Sequence, residues 1–145
     1  MTDISSIIAR HKDTQGGLLP MLHDIQAELG HIPDDAIDPI AKSLKLARAE
    51  VYGVISFYHD FRTTPTGTHV LKICRAEACQ SMGAEGLVAD MLNAFGLDDF
   101  GTTRDGKVTI EAVYCLGLCA MSPAAMVDGK LFGRATVPML KGAIK

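Results

Sequence analysis

The chain has 145 residues, 48% hydrophobic and 21% charged, a composition that fits a folded globular protein and not a disordered, collagen-like or coiled-coil one. Its net charge is −3, with six Lys/Arg against nine Asp/Glu in residues 1–65 and eight of each in residues 66–145, so no basic surplus exists for a nucleic acid or an anionic membrane. No stretch approaches the roughly 20 apolar residues that span a bilayer, and Met1-Thr2-Asp3-Ile4-Ser5 lacks the basic and apolar regions of a secretory signal, so a cytoplasmic address is expected.

Residues 1–65 read as a small helical bundle. A first helix covers Ile4 to His11. Pro20 can open a second, since its missing N–H costs nothing at a first helical position, and Leu18, Leu22, Ile25 and Leu29 form one apolar stripe. Gly30 follows where a left-handed residue ends a helix. Asp34 or Asp35 can cap a third helix with Ile37, Ile40, Ala41 and Leu44 inward, and a fourth starts near Ala47 and carries Val51, Val54 and Ile55. A bundle this short buries only about 60% of its unfolded surface, so it is expected to lean on the rest of the chain or on a partner. Tyr52, Phe57, Tyr58 and Phe61 cluster at its end, either as packing or as a docking surface.

Thr63-Thr64-Pro65-Thr66-Gly67 reads as a connector, after which the period changes. Thr68 to Ile73 is a β-branched run ending at Cys74, and residues 81–95 form an amphipathic helix carrying Leu87, Val88, Met91 and Leu92. Arg104-Asp105-Gly106 turns into a strand from Val108 to Tyr114 that ends at Cys115. Ala124–Val127 and Lys130–Phe132 flank Asp128-Gly129, a two-residue hairpin signal, and a last helix covers Val137 to Ile144. The fold class expected is α+β: a helical bundle over 1–65, then a thioredoxin-like α/β domain over 66–145 in the order β-α-β-β-β-α.

The four cysteines form two close pairs, Cys74-x4-Cys79 and Cys115-x3-Cys119, with 35 residues between them. If their strands are neighbours in one sheet, both loops open at the same edge and four thiolates converge. Two pairs from two loops suit a 2Fe–2S cluster, because each iron completes its tetrahedron with two thiolates and two bridging sulfides. Cys74 would then share one iron with Cys79, and Cys115 the other with Cys119. Backbone N–H groups near Gly83 and Gly117 can approach the sulfurs. Zinc asks for the same four thiolates, commonly from tighter C-x2-C turns, and four free thiols are the third reading. A thiol–disulfide oxidoreductase would want C-x-x-C, which is absent. None of the five histidines adjoins a cysteine as in a Rieske centre, and the methionines read as core filler. No dinucleotide, P-loop, serine-hydrolase or zinc-protease motif occurs, so no catalytic residue is assigned. Arg75, beside Cys74, is a cation that favours a reduced centre, with Glu77 opposing it.

Several runs resemble a known family. Leu19-Pro20-Met21-Leu22-His23-Asp24-Ile25-Gln26, Gly30-His31-Ile32-Pro33 and Glu50-Val51-Tyr52-Gly53-Val54 with Phe57-Tyr58 are similar to the helical region of the thioredoxin-like 2Fe–2S subunit of respiratory complex I and its soluble relatives. Cys74-x4-Cys79 and Cys115-Leu116-Gly117-Leu118-Cys119, followed by Ser122-Pro123-Ala124, match the family's cluster motif in order and spacing. The loop Cys74-Arg75-Ala76-Glu77-Ala78-Cys79-Gln80-Ser81 looks most like the gamma subunit of soluble NAD-dependent formate dehydrogenases, with complex I and an NAD(P)-linked hydrogenase as the alternatives. The resemblance implies one 2Fe–2S cluster here and a partner subunit with FMN, an NAD site and a 4Fe–4S cluster. It also implies further iron–sulfur clusters and a large formate-oxidising subunit with molybdenum or tungsten, the whole converting formate and NAD⁺ to CO₂ and NADH. This chain would have no active site of its own.

Overall fold

The computed structural model describes residues 4–144. The chain divides into two compact units, residues 1–65 and residues 66–145.

The first unit holds four helices: α1 (Ile4–His11), α2 (Leu18–Leu29), α3 (Asp34–Leu44) and α4 (Arg48–Phe57). Ile7, Met21, Leu22, Ile25, Ile37 and Ile40 are fully buried and form its core. The buried face of α2 is centred on Met21, Leu22, Ile25 and Gln26, which leaves Leu29 partly exposed instead of inward. Helix α2 starts at Leu18 after Gly17, so Pro20 falls within the first turn and not at its head. Gly30 ends it at φ 75°, a left-handed conformation that glycine adopts without steric cost. The N-cap of α3 is Pro33, while Asp34 and Asp35 occupy the first turn, where the helix dipole favours them. Arg48 explains the shift, because its guanidinium donates to both carboxylate oxygens of Asp34 at 2.8 and 2.9 Å. At α4 the Ala47 N–H donates to the Glu50 carboxylate at 2.7 Å, a side chain reaching back to cap the helix. After α4 the chain returns along α2. Gln26 donates from Nε2 to the Asp60 carbonyl at 2.6 Å and accepts the Arg62 N–H at 2.8 Å, while Ile32 N–H donates to the Arg62 carbonyl at 2.7 Å.

The second unit is a five-stranded mixed sheet with helices packed on it. Its elements are β1 (His69–Cys74), α5 (Glu77–Ser81), α6 (Ala84–Ala94), β2 (Gly101–Thr102), β3 (Val108–Val113), a 3-10 turn (Cys119–Met121), β4 (Ala125–Val127), β5 (Lys130–Phe132) and α7 (Val137–Ala143). The strand order is β2-β3-β1-β4-β5; β1 and β3 are parallel and the other pairs antiparallel. Leu71, Ile73, Met91, Ile110 and Leu140 form the core between sheet and helices. The hairpin turn is Asp128-Gly129, with φ of 48° and 83°, the left-handed pair that a tight hairpin requires.

Three features differ from the sequence expectation. The helix expected over 81–95 is α6, which starts only at Ala84 after Gly83 at φ 90°, and a separate short helix, α5, precedes it over Glu77–Ser81. A short edge strand, β2, pairs Gly101 with Ile110 and Thr102 with Thr109. Strand β3 stops at Val113, so Tyr114 and Cys115 belong to the loop that follows.

Candidate functional site

The parallel pairing of β1 and β3 sets Cys74 opposite Val113, so the loops after both strands open at one edge of the sheet. Cys74 is the last residue of β1, and Cys115 lies two residues beyond β3. Helix α5 turns the chain back so that Cys79 is buried beside Cys74, and Cys119 opens the 3-10 turn. The inner pair, Cys74 and Cys79, is buried; the outer pair, Cys115 and Cys119, is exposed. Ala84 and Ala124 pack against the inner pair, with Val113, Leu116 and Leu118 around them.

The Sγ atoms of Cys115 and Cys119 are 3.6 Å apart. Two thiolates on one tetrahedral metal, with bonds of about 2.3 Å, stand about 3.8 Å apart, so this spacing needs little adjustment. Backbone donors point at the sulfurs. Cys115 N–H reaches Cys74 Sγ at 3.2 Å and Gly117 N–H reaches Cys115 Sγ at 3.4 Å. Gly117 therefore does what its position suggested; Gly83 instead donates to the Gln80 carbonyl. Cys115 adopts φ 82°, a left-handed conformation rare outside glycine and common where a site fixes its backbone.

Electrostatics separates the two pairs. Burial opposes ionisation of Cys74, yet the N–H groups of Ala76, Cys115 and Leu116 and the Cys79 side chain outweigh it and hold the thiol below its ordinary range. Cys119 is pushed up, first by its hydrogen bond with Cys115 and then by the charges of Cys115, Cys79 and Cys74. The other three cysteines oppose ionisation of Cys119, and positive charge held between the thiols would relieve that. Two donors per metal fit a binuclear cluster, whose bridging sulfides supply the rest, better than a mononuclear four-cysteine zinc site.

Arg75 is not a lone cation. Its guanidinium donates twice to Glu85, at 2.8 and 2.9 Å, and lies 5.5 Å from the Phe100 ring centroid. The opposing carboxylate is therefore Glu85 on α6, which sequence reasoning did not single out, and its pairing with Arg75 holds its carboxyl below the usual range. Ser122 was seen only as part of a motif; it is buried and touches the cysteines. Met82, Tyr114 and Met121, each from a loop or turn that carries a cysteine, form an exposed apolar rim. A cavity of about 810 Å³ lies at the opposite end of β1 and β3, among Thr68, His69, Phe95, Arg104, Lys107 and Ile144, and holds none of the thiols.

The sequence model of the family described as "Thioredoxin-like [2Fe-2S] ferredoxin" matches residues 4–145. The chain is 32% identical over 127 residues to the NADP-reducing hydrogenase subunit HndA of Solidesulfovibrio fructosivorans, covering 88% of this chain and 74% of that one. It is 31% identical over 143 residues to an NADH-quinone oxidoreductase subunit of Rhizobium meliloti (strain 1021), covering 99% and 85%. Among solved structures it matches an NAD⁺-reducing [NiFe]-hydrogenase in the H₂-reduced state with a TM-score of 0.75 and 24% identity, a likeness of fold. That match covers 88% of this chain and 21% of the hydrogenase chain.

Proposed function

The chain belongs to the thioredoxin-like 2Fe–2S ferredoxin family, and on that premise we propose that Cys74, Cys79, Cys115 and Cys119 hold its one cluster. The chain is an electron-transfer subunit. The observation that carries the ligand set is four thiols from two loops at one sheet edge, with backbone N–H groups aimed at two of the sulfurs. When bound, the cluster supplies a one-electron store. The protein's part is to hold it half-sunk: the buried pair anchors one side and the exposed pair presents the other to a partner. The purified chain should be red-brown, with about two irons and two acid-labile sulfides and an EPR signal on reduction. A colourless chain with one zinc overturns the reading.

The complex we favour is a cytoplasmic NAD-dependent formate dehydrogenase, in which this chain sits beside an FMN- and NAD-binding subunit that carries a 4Fe–4S cluster. The formate-oxidising subunit holds molybdenum or tungsten. The support is the Cys74–Ser81 loop, which resembles the gamma subunit of such enzymes. The likeness to HndA favours a second reading, an NADP-reducing hydrogenase, and the likeness to the Rhizobium meliloti protein an NADH-quinone oxidoreductase. No helix among the described residues is long and apolar enough to cross a membrane. Capture of the native complex through this chain separates the readings. Formate-dependent NAD⁺ reduction supports the first, and hydrogen- or quinone-dependent turnover without it replaces the first.

We assign the helical unit, residues 1–65, to docking on the flavin subunit. Phe57, 71% exposed, meets Tyr58 edge to face at 5.0 Å, and Tyr52 is also exposed, so aromatic surface stands free to be covered. Aromatic anchors commonly carry about 2 kcal/mol or more of an interface. Phe57→Glu should therefore weaken co-purification of the flavin subunit by about tenfold or more while iron content stays unchanged. Full retention removes this assignment.

The Arg75–Glu85 pair predicts a charge cycle. Reduction adds one negative charge, which a nearby cation favours and a nearby anion disfavours. Arg75→Ala should lower the midpoint potential by a few tens of millivolts, because Glu85 is left uncompensated. Glu85→Gln should raise it, and the double variant should return close to the parent. Redox titration followed by EPR measures all three.

A further inference from the structure

Three buried polar side chains stand among the described residues: Gln26, Thr109 and Ser122. Gln26 holds the backbone of Asp60 and Arg62, and Thr109 holds that of Gly67, accepting its N–H at 2.7 Å while bonding Thr102 at 2.8 Å. Ser122 lies among the thiols. Its Oγ donates to the Cys119 carbonyl at 2.7 Å and accepts the Cys79 Sγ–H at 3.5 Å, so one hydroxyl bridges the inner cysteine pair and the outer one.

A serine hydroxyl has one proton to give and two lone pairs. In the free thiol state Cys79 donates and Ser122 can keep its proton on the carbonyl. A metal-bound Cys79 is a thiolate and has nothing to donate. The Ser122 oxygen then faces two acceptors with a single proton. Which acceptor wins depends on the charge on sulfur, because hydrogen bonds to charged acceptors are stronger than those to neutral ones.

We propose that Ser122 is a positioning residue for the electron: its hydroxyl turns from the Cys119 carbonyl to the Cys79 sulfur when the centre is reduced, and so favours the reduced form. This rests on the reading that Cys79 is a ligand. No covalent bond changes. One electron enters from the reduced flavin of the partner, or from dithionite in a titration; the O–H stays on Ser122 and exchanges one acceptor for another. The Cys119 carbonyl loses a neutral hydrogen bond and the sulfur gains a charge-assisted one, about twice as strong. The difference sets an effect of about fivefold on the equilibrium between oxidised and reduced forms, about 40 mV for one electron.

The test uses the full chain loaded with its cluster. Ser122→Ala, with iron and sulfide equal to the parent, should have a midpoint potential lower by about 40 mV, the fivefold effect for one electron. Its Fe–S stretching bands in the reduced state should shift less on transfer to D₂O than the parent's. Ser122→Thr restores the hydroxyl and should restore both readouts, whereas the similarly shaped Ser122→Val should not. A hydroxyl-free variant that keeps its iron and the parent's potential overturns the proposal and leaves the ligand reading untouched. If Ala and Val both lose iron while Thr keeps it, the hydroxyl is a brace for the loop, and the proposal is overturned in that case too. The ligand reading fails separately, through cysteine variants that keep both the parent's full iron and its spectrum.

Discussion

Cys74→Ser is expected to leave the chain folded and to cut its iron to about a tenth of the parent's or less. Loss of a single supporting hydrogen bond near a metal site costs about 10–100-fold in affinity, and loss of a ligand from the buried side costs more. Cys74 is 1% exposed, closes β1, and receives the Cys115 N–H at 3.2 Å. Its thiol also sits below the ordinary range, held there against burial by the N–H groups of Ala76, Cys115 and Leu116 and by Cys79. The serine hydroxyl is a shorter and far more basic donor that these N–H groups cannot bring to ionisation, and no water can reach in to replace it. Cys119→Ser is expected to differ in kind. Its position is exposed, on a 3-10 turn, and its thiol is already held above its ordinary range by Cys115 and the other cysteines. Water or the serine oxygen can take the open place, so part of the iron stays and the visible and EPR spectra change. Iron and sulfide assays after anaerobic reconstitution, with circular dichroism for the fold, separate these outcomes. Full iron in Cys74→Ser, or an untouched spectrum in Cys119→Ser, means that the site is drawn wrongly.

The convergence of the cysteines was legible because it needs only two facts, both present in the chain. The runs from Thr68 and Val108 are apolar and β-branched, and each ends at the first cysteine of a pair. Parallel pairing of β1 with β3 then brings the loops together. What stayed hidden depends on tertiary partners. Strand β2 is two residues long with no alternation to detect, and it exists because the outer edge of β3 offers Ile110 and Thr109 to pair with. Helix α5 was missed because five residues, Glu77 to Ser81, are too few to show a helical period, and the start of α6 at Ala84 is set by Gly83 at φ 90°. Glu85 was invisible as the partner of Arg75 because the two, with nine residues between them, are brought together only by the α5–α6 bend. Ser122 carried a faint signal, a hydroxyl three residues after Cys119, but sequence cannot tell a solvated loop serine from one 7% exposed against two cysteines.

Gln26→Leu is expected to destabilise the helical unit by about 1–3 kcal/mol, although it puts an apolar residue of similar size at a buried position on a helix. Apolar burial alone predicts the opposite sign, since leucine on this face would add to the core with Met21, Leu22 and Ile25. The hydrogen bonds decide. Gln26 donates to the Asp60 carbonyl at 2.6 Å and accepts the Arg62 N–H at 2.8 Å, and leucine does neither. Both bonds are part-buried, so taking the partner away costs about 1–2 kcal/mol each, against roughly 1 kcal/mol regained from the added apolar surface. The segment held this way carries Phe61, 8% exposed and in tilted ring contact with His23 at 4.8 Å, and it receives Ile32 N–H on the Arg62 carbonyl at 2.7 Å. Its loosening therefore reaches the α2–α3 turn as well. A unit of about 65 residues has only about 3–10 kcal/mol of stability to lose. Thermal unfolding of the helical signal should move down by about 5 °C or more. Amide exchange at Ile32 and Arg62 should speed up before exchange at Ile40. Gln26→Glu keeps the acceptor for Arg62 N–H but sets a carboxylate against the Asp60 carbonyl, so it should fall at least as far as leucine near neutral pH and recover in part as the carboxyl is protonated. A Gln26→Leu chain as stable as the parent would mean that apolar packing, and not this backbone clamp, holds the 60–62 segment in place.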